Sequence, residues 1–148
     1  MINVALYQPD IPQNTAAIVR LSACMGLKLH IIEPCGFSIR DSRFKRVVMD
    51  YGKLSDILRY ENFDIFKKKN YKSRIILMTT KATKNYYKFK FKKNDILLFG
   101  RESAGVPKEV HDTIKKKLKI PMNKKARSLN IAISVAIVSS EALRQLKL

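Results

Sequence analysis

Three segments of this 148-residue chain group residues able to hold a ligand and act on it. Met78-Thr79-Thr80-Lys81 closes an apolar run with hydroxyls and an amine. Phe99-Gly100-Arg101-Glu102-Ser103-Ala104-Gly105-Val106-Pro107 sets a carboxylate between two of the five glycines, where the backbone can approach a ligand closely. Ile120-Pro121-Met122, with Arg127-Ser128-Leu129-Asn130 soon after, joins apolar side chains to a hydroxyl and an amide. Other chemistries lack their residues. There is no GxxxxGK[ST] phosphate loop, no GxGxxG turn and no GxSxG nucleophile element. Cys24 and Cys35 form no CxxC, and His30 and His111 stand far apart without metal-ligand spacing, so a bound metal is not expected.

These segments need strands to present them. Ile2 to Tyr7 reads as a first strand, ended by a loop containing Pro9 and Pro12. Asn14 is a good helix N-cap, and Ile18, Leu21 and Met25 follow at helical spacing before Gly26 stops the helix. Leu27 to Glu33 reads as a second strand, giving the β-α-β rhythm of a parallel sheet covered by helices. Short helices are expected in Phe44 to Arg59 and in Phe63 to Lys69. Arg74 to Thr79 and Asp95 to Phe99 hold continuous apolar runs suited to central strands. Between them, Lys81 to Lys93 alternates Lys with Tyr and Phe, the pattern of a half-buried edge segment or of a surface that stacks on bases. After Pro107, a helix carrying Val110, Ile114 and Leu118 is expected, then a short strand from Leu118 to Ile120. A last helix should run from near Ser128 to about Leu146, with an apolar surface broad enough for the sheet and a second subunit. Ligands of such sheets bind where strands end and loops turn toward helices, which places the three segments at one end of the sheet.

Length and composition suit one domain spanning 1–148, with no internal repeat and no flexible linker. Thirty Lys and Arg against twelve Asp and Glu give a net charge of +18, which favours a polyanion as partner. Most of the basic residues are Lys, however, which also serves as a general solubilising residue. No apolar run is long enough for a membrane span and no export signal opens the chain, so a cytoplasmic protein is expected.

Pro12-Gln13-Asn14-Thr15 with Arg20, Gly100 to Pro107, and Ile120-Pro121-Met122 with Arg127-Ser128-Leu129-Asn130 occur in the order of the three motifs of the SPOUT RNA methyltransferases, which the chain resembles over nearly its whole length. Leu6 to Thr15, the block His30-Ile31-Ile32-Glu33-Pro34 and the short length are most similar to the members that methylate the wobble ribose of tRNA. The resemblance implies an α/β fold with a mainly parallel central sheet, flanking helices and a C-terminal trefoil knot. It implies S-adenosylmethionine as methyl donor, the tRNA anticodon stem-loop as partner, and a homodimer with composite active sites. It assigns catalytic roles to Arg20, Asn14, Glu102, Ser128 and Asn130, and cofactor contacts to Met78, Gly100, Ile120, Met122, Ser128 and Leu129.

The residues themselves limit these roles. A guanidinium stays protonated at ordinary pH, so Arg20 suits stabilisation of a developing alkoxide, by gripping the adjacent phosphate, better than proton abstraction. Without the motif Arg20 would read as a solvent-facing charge, Glu102 as a solvated loop carboxylate, and Asn14, Ser128 and Asn130 as helix caps. The third motif departs from its relatives at Ala132 and Ile133, where Ser and Asn are common. Two alternatives stay open: a SPOUT methyltransferase acting on another RNA site, and a non-catalytic basic RNA-binding protein.

Overall fold

Side chains on a strand alternate between its two faces, so a run that is apolar at every position needs cover on both. The computed structural model, which describes residues 1–51 and 57–147, supplies that cover. Its elements are β1 (Asn3–Tyr7), α1 (Pro12–Met25), β2 (Lys28–Ile32), α2 (Ser42–Tyr51), β3 (Ile57–Tyr60), α3 (Phe63–Lys69), β4 (Ile75–Met78), β5 (Ile96–Phe99), α4 (Lys108–Thr113), β6 (Lys116–Leu118) and α5 (Ile131–Leu146). Among the described residues the six strands form one sheet in the order β3-β2-β1-β5-β4-β6, and every pairing is parallel. Val4, Leu6, Ile76 and Leu97 face a core completed by Ile18 and Val19 of α1, Phe44 and Val48 of α2, and Val135 and Val138 of α5. Ala5, Tyr7, Leu77 and Leu98 face a second core with Phe66 of α3 and Val110 of α4. Each fully buried large side chain contributes roughly 1.5–3 kcal/mol, so the two-sided burial of β1 and β5 fixes the middle of the sheet.

The structure revises several boundaries. Pro12 opens α1, and Ile11 is its N-cap residue without a side-chain cap. Asn14 therefore lies inside the first turn and is not the cap that its residue type suggested; proline at the first helical position needs no N–H partner. Ile57–Tyr60 is a strand, β3, overlapping the end of the stretch Phe44 to Arg59 where short helices were expected, because Leu29 to Ile32 offer it a parallel edge. Residues 52–56, which that expectation also covered, lie outside the described residues. Helix α4 ends at Thr113, and the strand expected at Leu118 to Ile120 lies at Lys116–Leu118, so Leu118 is a strand residue packed on the first core. Lys81 to Lys93 contains a 3-10 turn at Tyr86–Lys88; it runs beside the outer edge of β6 through the Asn85–Lys119 bridge and buries Phe91. Helix α5 begins at Ile131, with Asn130 and not Ser128 as its cap.

Candidate active site

The C-terminal ends of β1, β4, β5 and β6 lead into loops that enclose a cavity of about 510 Å³, within the roughly 300–1,000 Å³ usual for small-molecule sites. Met78 enters it from β4, Gly100 and Glu102 from the loop after β5, and Ile120, Met122, Ser128, Leu129 and Asn130 from the segment joining β6 to α5. Asn14 enters from α1. Nine of the ten different residues singled out in the sequence thus line one cavity, and the tenth, Arg20, does not.

Polar side chains couple the three motif segments. Asn130 Oδ1 accepts from the backbone N–H groups of Ala132 and Ile133 at 2.8 and 3.3 Å, capping α5. Its Nδ2 donates to Asn14 Oδ1 at 2.9 Å. Asn14 Nδ2 donates in turn to Glu102 Oε1 at 3.2 Å, and the other oxygen of Glu102 accepts from the Asp10 backbone N–H at 2.9 Å. A carboxylate in this position ties the loop after β5 to the start of α1 and to the loop before it. Ser128 is exposed on the cavity wall and makes no side-chain hydrogen bond among the described residues.

Asp10, which does not line the cavity itself, braces the loop after β5 that does, a role its residue type did not mark in the sequence. Its carboxylate pairs with the Arg101 guanidinium and accepts from Ser103, from the backbone N–H at 3.1 Å and from Oγ at 2.5 Å. The Arg101 hydrogen bond is the main cause that lowers its pKa to about 2, with the Ser103 bonds adding to it against partial desolvation. A proline-flanked Asp was the only signal in the sequence, since its partners lie about ninety residues away. The loop after β5 also closes on itself: Arg101 and Gly105 exchange backbone hydrogen bonds at 3.0 and 2.8 Å. A Cβ on Gly100 would lie 2.5 Å from the Gly105 carbonyl carbon, and Gly105 has φ +66°, so both glycines are required by the turn.

Arg20 is exposed on α1, and its Cζ lies 4.3 Å from the ring centroid of Tyr51, the last residue of α2. Among the described residues no group of three or more His, Cys, Asp or Glu is arranged to hold a metal ion, and no helix is long and apolar enough to cross a membrane.

Comparison with known proteins gives these features a context. Residues 1–140 match the SpoU rRNA methylase family. A tRNA (cytidine(34)-2'-O)-methyltransferase of Beijerinckia indica is 46% identical over 144 residues, covering 96% of this chain and 90% of the relative. A solved structure described as giving insights into the 2-OH methylation of C/U34 on tRNA superimposes with a TM-score of 0.92 at 37% identity, covering 99% of this chain and 97% of the other. An AdoMet-bound rRNA methyltransferase from Sinorhizobium meliloti superimposes with a TM-score of 0.87 at 25% identity, covering 98% of this chain and 56% of that one.

Proposed function

The chain belongs to the SpoU methylase family, and from that premise we propose that it transfers a methyl group from S-adenosylmethionine to the ribose 2′-hydroxyl of the wobble nucleotide, cytidine or uridine, in a tRNA anticodon loop. The observation that carries this reading is the chain of hydrogen bonds Asn130–Asn14–Glu102, which joins the three motif segments around one cavity.

The cavity fits the methyl donor. Met78, Ile120, Met122 and Leu129 offer apolar walls for an adenine ring, and the missing side chain at Gly100 admits the tight Arg101–Gly105 turn that completes the wall. When bound, S-adenosylmethionine supplies a methyl group already activated by its sulfonium, for which no metal is needed. The chain's residues then have to align the ribose oxygen with that methyl group at near-attack distance. Ser128 and Asn130, on the cavity wall, serve as positioning groups for cofactor and ribose. Glu102 and Asn14 hold the loop after β5 in register with α1. Arg20 grips the phosphate beside the target ribose and stabilises the alkoxide as its proton passes to a phosphate oxygen or a neighbouring group.

Arg20 lies outside the cavity lining of its own chain, so this role calls for a second copy. Helices α1 and α5 pack together and leave Leu21, Ala132, Ile133 and Ile137 partly or fully exposed, with Ile133 at 53%. A homodimer formed through that surface would bury it and bring Arg20 of one subunit to the other's cavity. The C-terminal trefoil knot belongs to the same proposal. It is supported by β6 lying at the sheet edge beyond β4, while α5, reached through the cavity-lining segment, packs against α1 and β5. A single catalytic domain working on tRNA in the cytoplasm completes the reading.

The basic surface suits the RNA. Residues 65–94 carry ten Lys and one Arg without a single Asp or Glu, and residues 113–140 carry six Lys and one Arg, again without an acid. Lys81 and Arg127 of these stretches line the cavity itself. The test is incubation with S-adenosylmethionine and unmodified tRNA transcripts, followed by mass-spectrometric mapping of 2′-O-methyl groups. One methyl group at the wobble ribose is expected. Tight tRNA binding without transfer, under conditions where cofactor binds, would establish the non-catalytic alternative. A methyl group elsewhere would establish a different RNA target.

A further inference from the structure

The arginines differ in what holds them: among the described residues Arg40, Arg46 and Arg127 have neither an ion pair nor a ring contact, and Arg74 has both. Arg43, Arg59, Arg74, Arg101 and Arg144 each pair with a carboxylate, which fixes the guanidinium and cancels its charge. Arg20 has no ion pair and no side-chain hydrogen bond among the described residues; what it has is the face of Tyr51, 4.3 Å from Cζ to ring centroid. A guanidinium stacked on a ring keeps its five N–H donors in its own plane, pointing away from the stack. The ring attracts the cation through its quadrupole and takes up none of those donors.

From this geometry we propose that Tyr51 is a positioning residue for methyl transfer: its ring holds the Arg20 guanidinium in place, with its charge and donors available to the RNA phosphate and the developing alkoxide. The inference rests on the reading of Arg20 given under Proposed function. The placement follows from the packing of α1 on α2, which carries the half-buried Tyr51 at its end against the exposed side of α1. A carboxylate in place of the Tyr51 ring would position Arg20 equally well but would neutralise it, whereas Asp50, the neighbouring carboxylate, makes no ion pair with Arg20. An aliphatic residue would leave a long, flexible side chain to be ordered during each turnover. The phenol hydroxyl has no part in the proposal.

The test is steady-state kinetics on full-length variants with tRNA transcript, beside cofactor affinity and thermal melting. Tyr51→Leu should lower kcat about tenfold, the worth of a partly desolvated cation–π contact, with cofactor affinity unchanged. Tyr51→Phe should restore most of that turnover because the ring remains. In an Arg20→Lys background, removal of the ring should cost little more, since the contact is already altered; a ring that merely packs α2 on α1 would cost the same in both backgrounds. If Tyr51→Phe is as slow as Tyr51→Leu, or if the losses from Arg20→Lys and Tyr51→Leu multiply, the proposal is overturned. Should Tyr51→Leu melt early, the Phe variant and the Arg20→Lys comparison decide in its place. The two readings fail separately: full activity in Arg20→Ala removes the role given to Arg20, whereas an inactive Arg20→Ala beside a fully active Tyr51→Leu removes only the inference about Tyr51.

Discussion

Helix α1 carries two polar residues that are held in opposite ways. Asn14, near its start, has both amide atoms engaged, donating to Glu102 and accepting from Asn130. Arg20, nearly two turns later, has no hydrogen-bonded partner among the described residues and lies against an aromatic ring. A group that shapes a cavity works best when its hydrogen bonds are satisfied before ligand arrives, because the site then needs no reorganisation. A group that must meet charge appearing only in the transition state works best when nothing in the protein has already neutralised it. Under the proposed function the two residues would divide binding from catalysis along one helix, and that division can be tested from either end.

The strongest test acts on the charged end. Arg20→Lys keeps a positive charge but loses the planar fork of donors and is expected to lower kcat by about 100-fold, the usual effect of removing one transition-state donor. Cofactor affinity measured by calorimetry should stay near that of the unaltered protein. Equal loss of both would abolish the contrast, since Arg20 would then be shaping the cavity as well.

Gly100→Ala is the converse test. Its Cβ would meet backbone atoms of Gly105 at 2.5 and 2.6 Å, so the Arg101–Gly105 bridge must open to admit it. Overpacking of this kind costs about 1–3 kcal/mol, and here it falls on the cavity wall. Cofactor affinity should drop about tenfold or more, with the melting temperature lowered as well. An alanine variant that binds cofactor normally would show that the tight turn does not shape the site.

The cavity was far more legible in the sequence than its connection to Arg20. Ile75-Ile76-Leu77-Met78 and Ile96-Leu97-Leu98-Phe99 are apolar at every position because both sheet faces are covered, and that made β4 and β5 readable together with the loops at their ends. Strand β3 was not readable: Ile57-Leu58-Arg59-Tyr60 is a short edge segment whose pairing with Leu29 to Ile32 decides its form. Asn14 was read as a cap because its type suits one, whereas its partners at 102 and 130 are set by the fold alone. Tyr51 stands thirty-one positions from Arg20 and on another helix, beyond the reach of any local periodicity.

A finer test separates the two duties of Asn130. Asn130→Ala removes the α5 cap and the bond to Asn14 together, and should cost about 1 kcal/mol of stability as well as activity. Asn130→Asp keeps an oxygen for the Ala132 and Ile133 N–H groups but cannot donate to Asn14. Thermal melting should therefore stay close to that of the unaltered protein while cofactor affinity falls. Equal melting loss in the two variants would mean that the bond to Asn14, not the cap, stabilises α5.

The smallest expected effect sets the pH range in which these comparisons hold. Asp10, bonded to Arg101 of the cavity wall, has its carboxyl lowered to about 2, so its bonds to Arg101 and Ser103 persist through mildly acidic conditions. His30 is buried in the sheet; Nδ1 is bonded to Tyr60 Oη at 2.8 Å and Nε2 faces Asn3 Oδ1 at 3.5 Å. Burial lowers its pKa to about 4, with the nearby Lys28 charge adding to the effect. The unfolded chain, with a histidine pKa of about 6.5, takes up the proton first, so stability is full above about pH 6.5 and declines as pH falls toward 4. By about pH 5.5 the loss should be on the order of 1 kcal/mol, visible in chemical denaturation and reduced in His30→Gln. Acid inactivation should then follow unfolding around His30 while the Asp10 contacts are still intact. Loss of cofactor binding in a fully folded protein at that pH would show instead that the cavity is the weaker of the two in acid.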